Sequence, residues 1–228
     1  MYRFLLFDAD ETILDFLRAE ATALKLAFED VGIAYKDEYL AVYSNINKNL
    51  WKRLEKKEIT KPELLKTRFQ EFFEAAALTG NTENIRKSYQ MRLGEQGFLI
   101  KGAGEIIRDL SKKYDIYIIT NGLKETQMTR LGASGLMPYI KGVFISENIG
   151  AEKPAAEFFD AVERGICNFK KEEALVIGDS LSSDILGGNN AGIKTVWYNK
   201  NHAENNSAAR PDYEIHELNE LYDILKEN

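Results

Sequence analysis

A chain of 228 residues with 30 Lys/Arg against 36 Asp/Glu carries a formal charge of −6, and 44% of it is hydrophobic. That length and composition make one large domain, or one domain with an insertion, and exclude a disordered chain or a basic nucleic-acid scaffold. The single cysteine, Cys167, excludes an internal disulfide framework and fits a reducing compartment, and His202 and His216 alone leave little for Cys/His zinc chemistry.

The first apolar run, Phe4 to Phe7, has strand length. Asp8 stops it too soon for a signal-peptide core, and no run approaches membrane-spanning length, so the expectation is a cytoplasmic protein without a membrane partner. Asp8-Ala9-Asp10-Glu11-Thr12 follows directly, which puts two carboxylates in the loop at the strand's C-terminal end. Ligands bind at that edge in open α/β sheets, and two such acids can divide the work between nucleophile or metal ligand and proton carrier.

Residues 17–96 read differently, with no strand pattern and three or four helical segments. Ala21, Leu24, Phe28 and Val31 keep a three-and-four spacing, as do Tyr39, Tyr43, Ile46, Leu50 and Leu54. Thr60, Pro62 and Glu63 form a capping-box pattern with an early-turn proline, and Asn81 suits another cap. This block reads as an all-helical domain inserted into a core of residues 1–16 and 97–228.

From Gly102 onward, helix and strand patterns alternate. Strand-like runs at Ile116 to Ile119, Val143 to Ile145, Leu175 to Ile177 and Thr195 to Trp197 are apolar at successive positions. Such runs suit strands buried on both faces, in a doubly wound parallel α/β sheet. The second run ends in Thr120-Asn121-Gly122, Lys153-Pro154 follows the third, and the fourth ends in Gly178-Asp179-Ser180 with Asp184 five residues beyond Asp179. Asn199 to Arg210 reads as a surface loop. Singly, each polar cluster has a structural explanation: a post-strand turn, a helix cap, a solvated lysine. Together they converge on one sheet edge, which chance explains poorly.

The set Asp-x-Asp-x-Thr, Thr-Asn, Lys-Pro and Gly-Asp-x-x-x-x-Asp, in that order along the whole chain, resembles the haloacid dehalogenase superfamily of phosphatases. The helical block stands where the capped members of that superfamily carry their cap. The resemblance implies a Rossmann-like sheet of order 5-4-1-2-3 and a Mg²⁺-dependent phosphomonoester hydrolase. Asp8 would attack phosphorus and form an aspartyl-phosphate, while Asp10 would protonate the leaving oxygen and then deprotonate water. It further implies Mg²⁺ held by the carboxylates of Asp8 and Asp179 and the Asp10 carbonyl, with Asp184 behind them. Thr120, Asn121 and Lys153 would hold the phosphoryl oxygens.

Glu11 replaces the glycine usual before this threonine, so the turn is expected to avoid a glycine-only conformation. Lys101 stands where many relatives have proline. An acid at position 11, the string through Asp15-Phe16 and the size of the cap resemble bacterial pyrimidine 5′-nucleotidases that clear noncanonical nucleoside monophosphates. Phe16 and Trp51 are the candidates to stack a nucleobase, or else they pack within the protein, and for both packing is the more frequent case. Lys48, Lys52 and Arg53 read as solvated helix charges.

Other readings fare less well. Asp10 favours phosphoryl chemistry over dehalogenation, because a halide leaving group needs no proton. A response-regulator receiver places its acids before the threonine and lysine, and no Gly-x-x-x-x-Gly-Lys loop is present. A sugar-phosphate or phosphoglycolate phosphatase, a hexose-phosphate mutase and a catalytically silent binding protein on the same fold remain as alternatives.

Overall fold

In the computed structural model, which describes residues 1–226, the successive apolar runs form parallel strands because both of their faces are covered. Phe4, Leu6, Ala174 and Val176 point into one buried cluster, while Leu5, Phe7, Leu175 and Ile177 point into another on the opposite face. Side chains alternate across a strand, so continuous hydrophobicity serves two cores at once.

The elements in chain order are β1 (Phe4–Asp8), α1 (Phe16–Asp30), α2 (Glu38–Glu55), α3 (Lys61–Ala75), α4 (Thr82–Gly94), α5 (Ala103–Leu110), β2 (Asp115–Thr120) and α6 (Lys124–Ala133). They continue with β3 (Gly142–Ile145), α7 (Ser146–Ile149), α8 (Ala156–Gly165), β4 (Ala174–Gly178), α9 (Leu186–Ala191), β5 (Lys194–Tyr198), β6 (Tyr213–Ile215) and α10 (Leu221–Lys226). The six-stranded sheet has the order β3-β2-β1-β4-β5-β6. The expected 5-4-1-2-3 core is therefore present, with β6 added beside β5. All pairings are parallel; β1 lies between β2 and β4, with Asp8 opposite Ile119 and Phe7 opposite Ile177. Order reverses at β1, so the loops after β1 and β4 flank the switch point where α/β sheets bind ligands. No helix among the described residues is long and apolar enough to cross a membrane.

Internal packing divides the chain into one unit of residues 1–16 with those from Gly97 onward, and another of Leu17–Gln96. Residues 227 and 228, the end of the expected core, lie outside the described residues. The second unit is α1 from Leu17 through α4, with Tyr43, Phe69, Phe72 and Tyr89 at its centre, their ring centroids 5.1–5.4 Å apart in four of the pairs.

That unit also encloses polar groups. Glu20 accepts from Asn47 Nδ2 at 2.8 Å and from the Ser44 hydroxyl, and Arg68 donates to Asn47 Oδ1 at 3.0 Å. Glu20, Asn47 and Arg68 are all buried. The helix face with Ser44 and Asn47, on which Trp51 was a stacking candidate, is thus engaged inside the helical unit. Trp51 itself is half-buried against Leu50, Leu54 and Leu64.

Thr60 caps α3 with a full capping box: its side chain accepts from the Glu63 amide, and Glu63 accepts from the Thr60 amide at 2.7 Å. Asn81 likewise caps α4 through the amides of Glu83 and Asn84. Thr60→Ala is expected to lower stability by about 1 kcal/mol, as a shift of the urea midpoint at unchanged slope.

Candidate active site

Lys153 is the centre of the site. Its ammonium, 1% exposed, donates to Asp8 Oδ1 at 2.6 Å, Asp184 Oδ1 at 2.6 Å and the Ile119 carbonyl at 2.9 Å. A lysine has three protons to donate, so these partners saturate it. Burial by itself would push its pKa down; the Asp184 and Asp8 carboxylates overcome that and hold it above the usual lysine value. The lysine is fixed by its own backbone: Asn121 Nδ2 donates to the Lys153 carbonyl at 2.9 Å, and the Lys153 amide donates to Asn121 Oδ1 at 2.8 Å. The Asn121 side chain, expected at the phosphoryl oxygens, is therefore turned onto the Lys153 peptide, and it joins the β2 loop to the loop between α7 and α8.

Asp8 ends β1, and its second oxygen accepts no hydrogen bond among the described residues. Burial, ahead of the Asp184, Asp179 and Asp10 charges, raises its pKa well above the carboxylate range despite Lys153. Asp179 follows β4, with the Thr12 hydroxyl 3.5 Å from Oδ1 and its carbonyl held by Trp197 Nε1 at 3.0 Å. Burial, then the charges of Asp184 and Glu11, pushes Asp179 up to about 7. Asp184 lies in the π-helical turn Leu181–Ile185 and takes the Ser180 amide on Oδ2 at 3.0 Å.

One oxygen each from Asp8, Asp179 and Asp184 lie within 4.8 Å of one another. Three converging carboxylates beside one lysine are an oxygen-donor set that suits a hard divalent cation such as Mg²⁺. Buried Thr120 accepts from the Gly122 amide at 3.0 Å, which leaves its own hydroxyl proton to donate.

Gly178 makes room for this arrangement. A Cβ there would overlap the Asp184 carboxylate. Gly178→Ala is expected to push Asp184 off Lys153 and Ser180 and to lower activity by about 10–100-fold. Steady-state kinetics beside Asp184→Asn checks this, since the two variants should resemble each other.

The turn at Glu11 takes a conformation that favours glycine without being closed to other residues. Glu11 has φ 61, in the left-handed region, and its carboxylate is paired with Lys200. Its amide donates to the Leu14 carbonyl at 2.8 Å, and the amides of Ile13 and Leu14 return to Ala9, so the turn is fixed from both sides. A tight turn held by these bonds accommodates a conformation costing about 1–3 kcal/mol.

Asp10 points to α6. Its carboxylate is ion-paired with Arg130 and accepts from Gln127 Nε2 at 2.5 Å. Phe16 lies with its ring centroid 5.6 Å from the Arg130 guanidinium carbon. Nothing in the sequence marks Gln127, Arg130, Lys200 or Trp197 as site residues. Gln127 and Arg130 sit on α6, Trp197 on β5 and Lys200 in the turn after β5, and only the sheet order brings them to this edge.

Residues 2–192 match the family of haloacid dehalogenase-like hydrolases. The chain is 44% identical over 228 residues to the pyrimidine 5′-nucleotidase PynA of Streptococcus pneumoniae, covering all of this chain and 96% of that one. It is 32% identical to the pyrimidine 5′-nucleotidase YjjG of Escherichia coli, over 96% of each. The crystal structure of the HAD hydrolase YfnB of Bacillus subtilis, solved bound to magnesium, superposes with a TM-score of 0.93 at 43% identity, covering 98% of each chain.

Proposed function

This chain belongs to the haloacid dehalogenase-like hydrolases, and from that premise we propose that it is a Mg²⁺-dependent phosphatase of pyrimidine nucleoside 5′-monophosphates working through an aspartyl-phosphate. The observation that carries the reading is the Asp8 carboxylate, one oxygen held 2.6 Å from Lys153 and the other unengaged, at the switch point beside Asp179. The substrate class rests on two relatives named pyrimidine 5′-nucleotidases that match along nearly their whole length. Phe16 and Trp51 are not needed for it.

Asp8 and Asp179, with the Asp10 carbonyl, would hold Mg²⁺, and magnesium bound to YfnB supports that choice. When bound, the cation supplies positive charge beside the phosphoryl oxygens. The free Asp8 oxygen attacks phosphorus as the P–O bond to the nucleoside breaks, and Asp10 gives its proton to the departing 5′-oxygen. Water then attacks the phosphoryl group, its proton returns to Asp10, and the electron pair of the broken bond returns to Asp8. Lys153 balances the buried charge of Asp8 and Asp184 throughout, and Thr120 donates to a phosphoryl oxygen.

Phosphate release over a panel of nucleoside monophosphates, sugar phosphates and phosphoglycolate tests the reading. Pyrimidine 5′-monophosphates should lead by at least about tenfold in kcat/KM, with activity lost to EDTA and restored by Mg²⁺. Preference for a sugar phosphate would overturn the substrate class. No release from any of them would favour a silent binding protein.

A further inference from the structure

We propose that Arg130 and Gln127 are positioning residues that cradle the Asp10 carboxylate for its proton transfers; this rests on the reaction proposed above. Both project from α6 three residues apart, hence on one face. Arg130 pairs with Oδ1 of Asp10 and Gln127 donates to Oδ2, so each carboxylate oxygen has its own donor on a single rigid element. Two donors on two oxygens fix both the rotation and the displacement of the group, which one ion pair does not.

Core packing does not account for the cradle. The Arg130 side chain is 1% exposed and that of Asp10 is 31% exposed, so a fully desolvated guanidinium is directed at a carboxylate that reaches solvent. Burying a guanidinium is costly without a partner, and apolar side chains would fill α6 more cheaply. The Thr-Asn-Gly sequence joins the device through Gly122. A Cβ on Gly122 would overlap the Gln127 side chain at Cγ, Cδ and Nε2, so the glycine admits Gln127 past the β2 loop. The Phe16 ring, with its centroid 5.6 Å from the Arg130 guanidinium carbon, borders the other side.

In the first step Asp10 loses a proton to the leaving oxygen, and in the second it takes one from the attacking water. Both cradle contacts donate to Asp10 and fix where its two oxygens stand for either proton transfer. Their loss weighs on hydrolysis of the aspartyl-phosphate, and on the first step only where the leaving oxygen needs a proton.

The test compares wild type, Arg130→Met, Arg130→Lys and Gly122→Ala, as full chains with Mg²⁺, on 4-nitrophenyl phosphate and uridine 5′-monophosphate. Arg130→Met should lower kcat by about 10²-fold, with KM little changed on uridine 5′-monophosphate and falling with kcat on the aryl ester. On the aryl ester it should release one equivalent of nitrophenolate per enzyme in a rapid burst before slow turnover, because nitrophenolate leaves unprotonated. Uridine 5′-monophosphate should give no burst. Arg130→Lys should recover most of the rate, Gly122→Ala should show a weaker form of the same defect, and calorimetric Mg²⁺ affinity should hold in all three. Equal losses on both esters without a burst, a parallel loss of Mg²⁺ affinity, or wild-type kcat in Arg130→Met would overturn the cradle. Turnover in Asp8→Asn would instead refute the phosphotransfer reading, whatever Arg130 does.

Discussion

Asp8→Asn will abolish phosphate release while the protein folds at least as well as the parent. The amide keeps the shape of the carboxylate but has no oxygen able to attack phosphorus, and loss of a nucleophile costs on the order of 10⁴–10⁶-fold in kcat. The stability half follows from the site. Burial, then the charges of Asp184, Asp179 and Asp10, disfavours ionised Asp8, and Lys153 offsets this only in part. Its raised pKa means the ionised form is bound less well in the folded chain than in the unfolded one. At neutral pH, removing that charge therefore stabilises the fold or leaves it unchanged. Thermal unfolding without added metal should give an equal or higher midpoint, as when an active-site residue is selected for chemistry over stability. Retained turnover, or loss of activity together with unfolding, would contradict this.

Lys153→Met should have the largest effect on stability. The substitution leaves Asp8 and Asp184 buried, like-charged and without the ammonium that lies 2.6 Å from each. Removing one partner of a buried ion pair costs about 3–5 kcal/mol. In a chain of this size that lowers the melting temperature by roughly 10 °C. Mg²⁺ should restore part of the loss, because a cation bound by the folded form alone stabilises it by mass action. Lowering the pH should also restore part, since protonating either acid removes the repulsion. Phosphate release should fall steeply even where the variant is folded. A variant as stable as the parent would show that Lys153 does not hold these acids together.

What the chain reveals unaided depends on how far each feature reaches in space. β1 and β4 were legible because each is buried on two faces, so hydrophobicity runs continuously through Phe4–Asp8 and Ala174–Gly178, and β2, β3 and β5 carry shorter apolar runs of the same kind. The caps at Thr60 and Asn81 were legible because capping is a contact between near neighbours. β6 is three residues at the sheet edge and has no pattern long enough to notice. Asp8, Asp179, Asp184 and Lys153 could be gathered on paper because each follows a recognisable strand or lies within a few residues of one that does. Arg130 could not, since an arginine on a helix is ordinarily solvated, and only the fold shows its side chain at 1% exposure against Asp10. Asn121 is a related case: a contact between its side chain and the Lys153 peptide spans two loops far apart in the chain, and no local pattern announces it.

The stereochemical course at phosphorus puts the covalent step to its most direct trial. A phosphorothioate ester made chiral with ¹⁸O is hydrolysed in ¹⁷O water, and the configuration of the released thiophosphate is determined. Transfer first to Asp8 and then to water inverts phosphorus twice, so net retention is the predicted outcome. Net inversion would mean that water attacks the ester in a single displacement, with no bond ever formed to the protein.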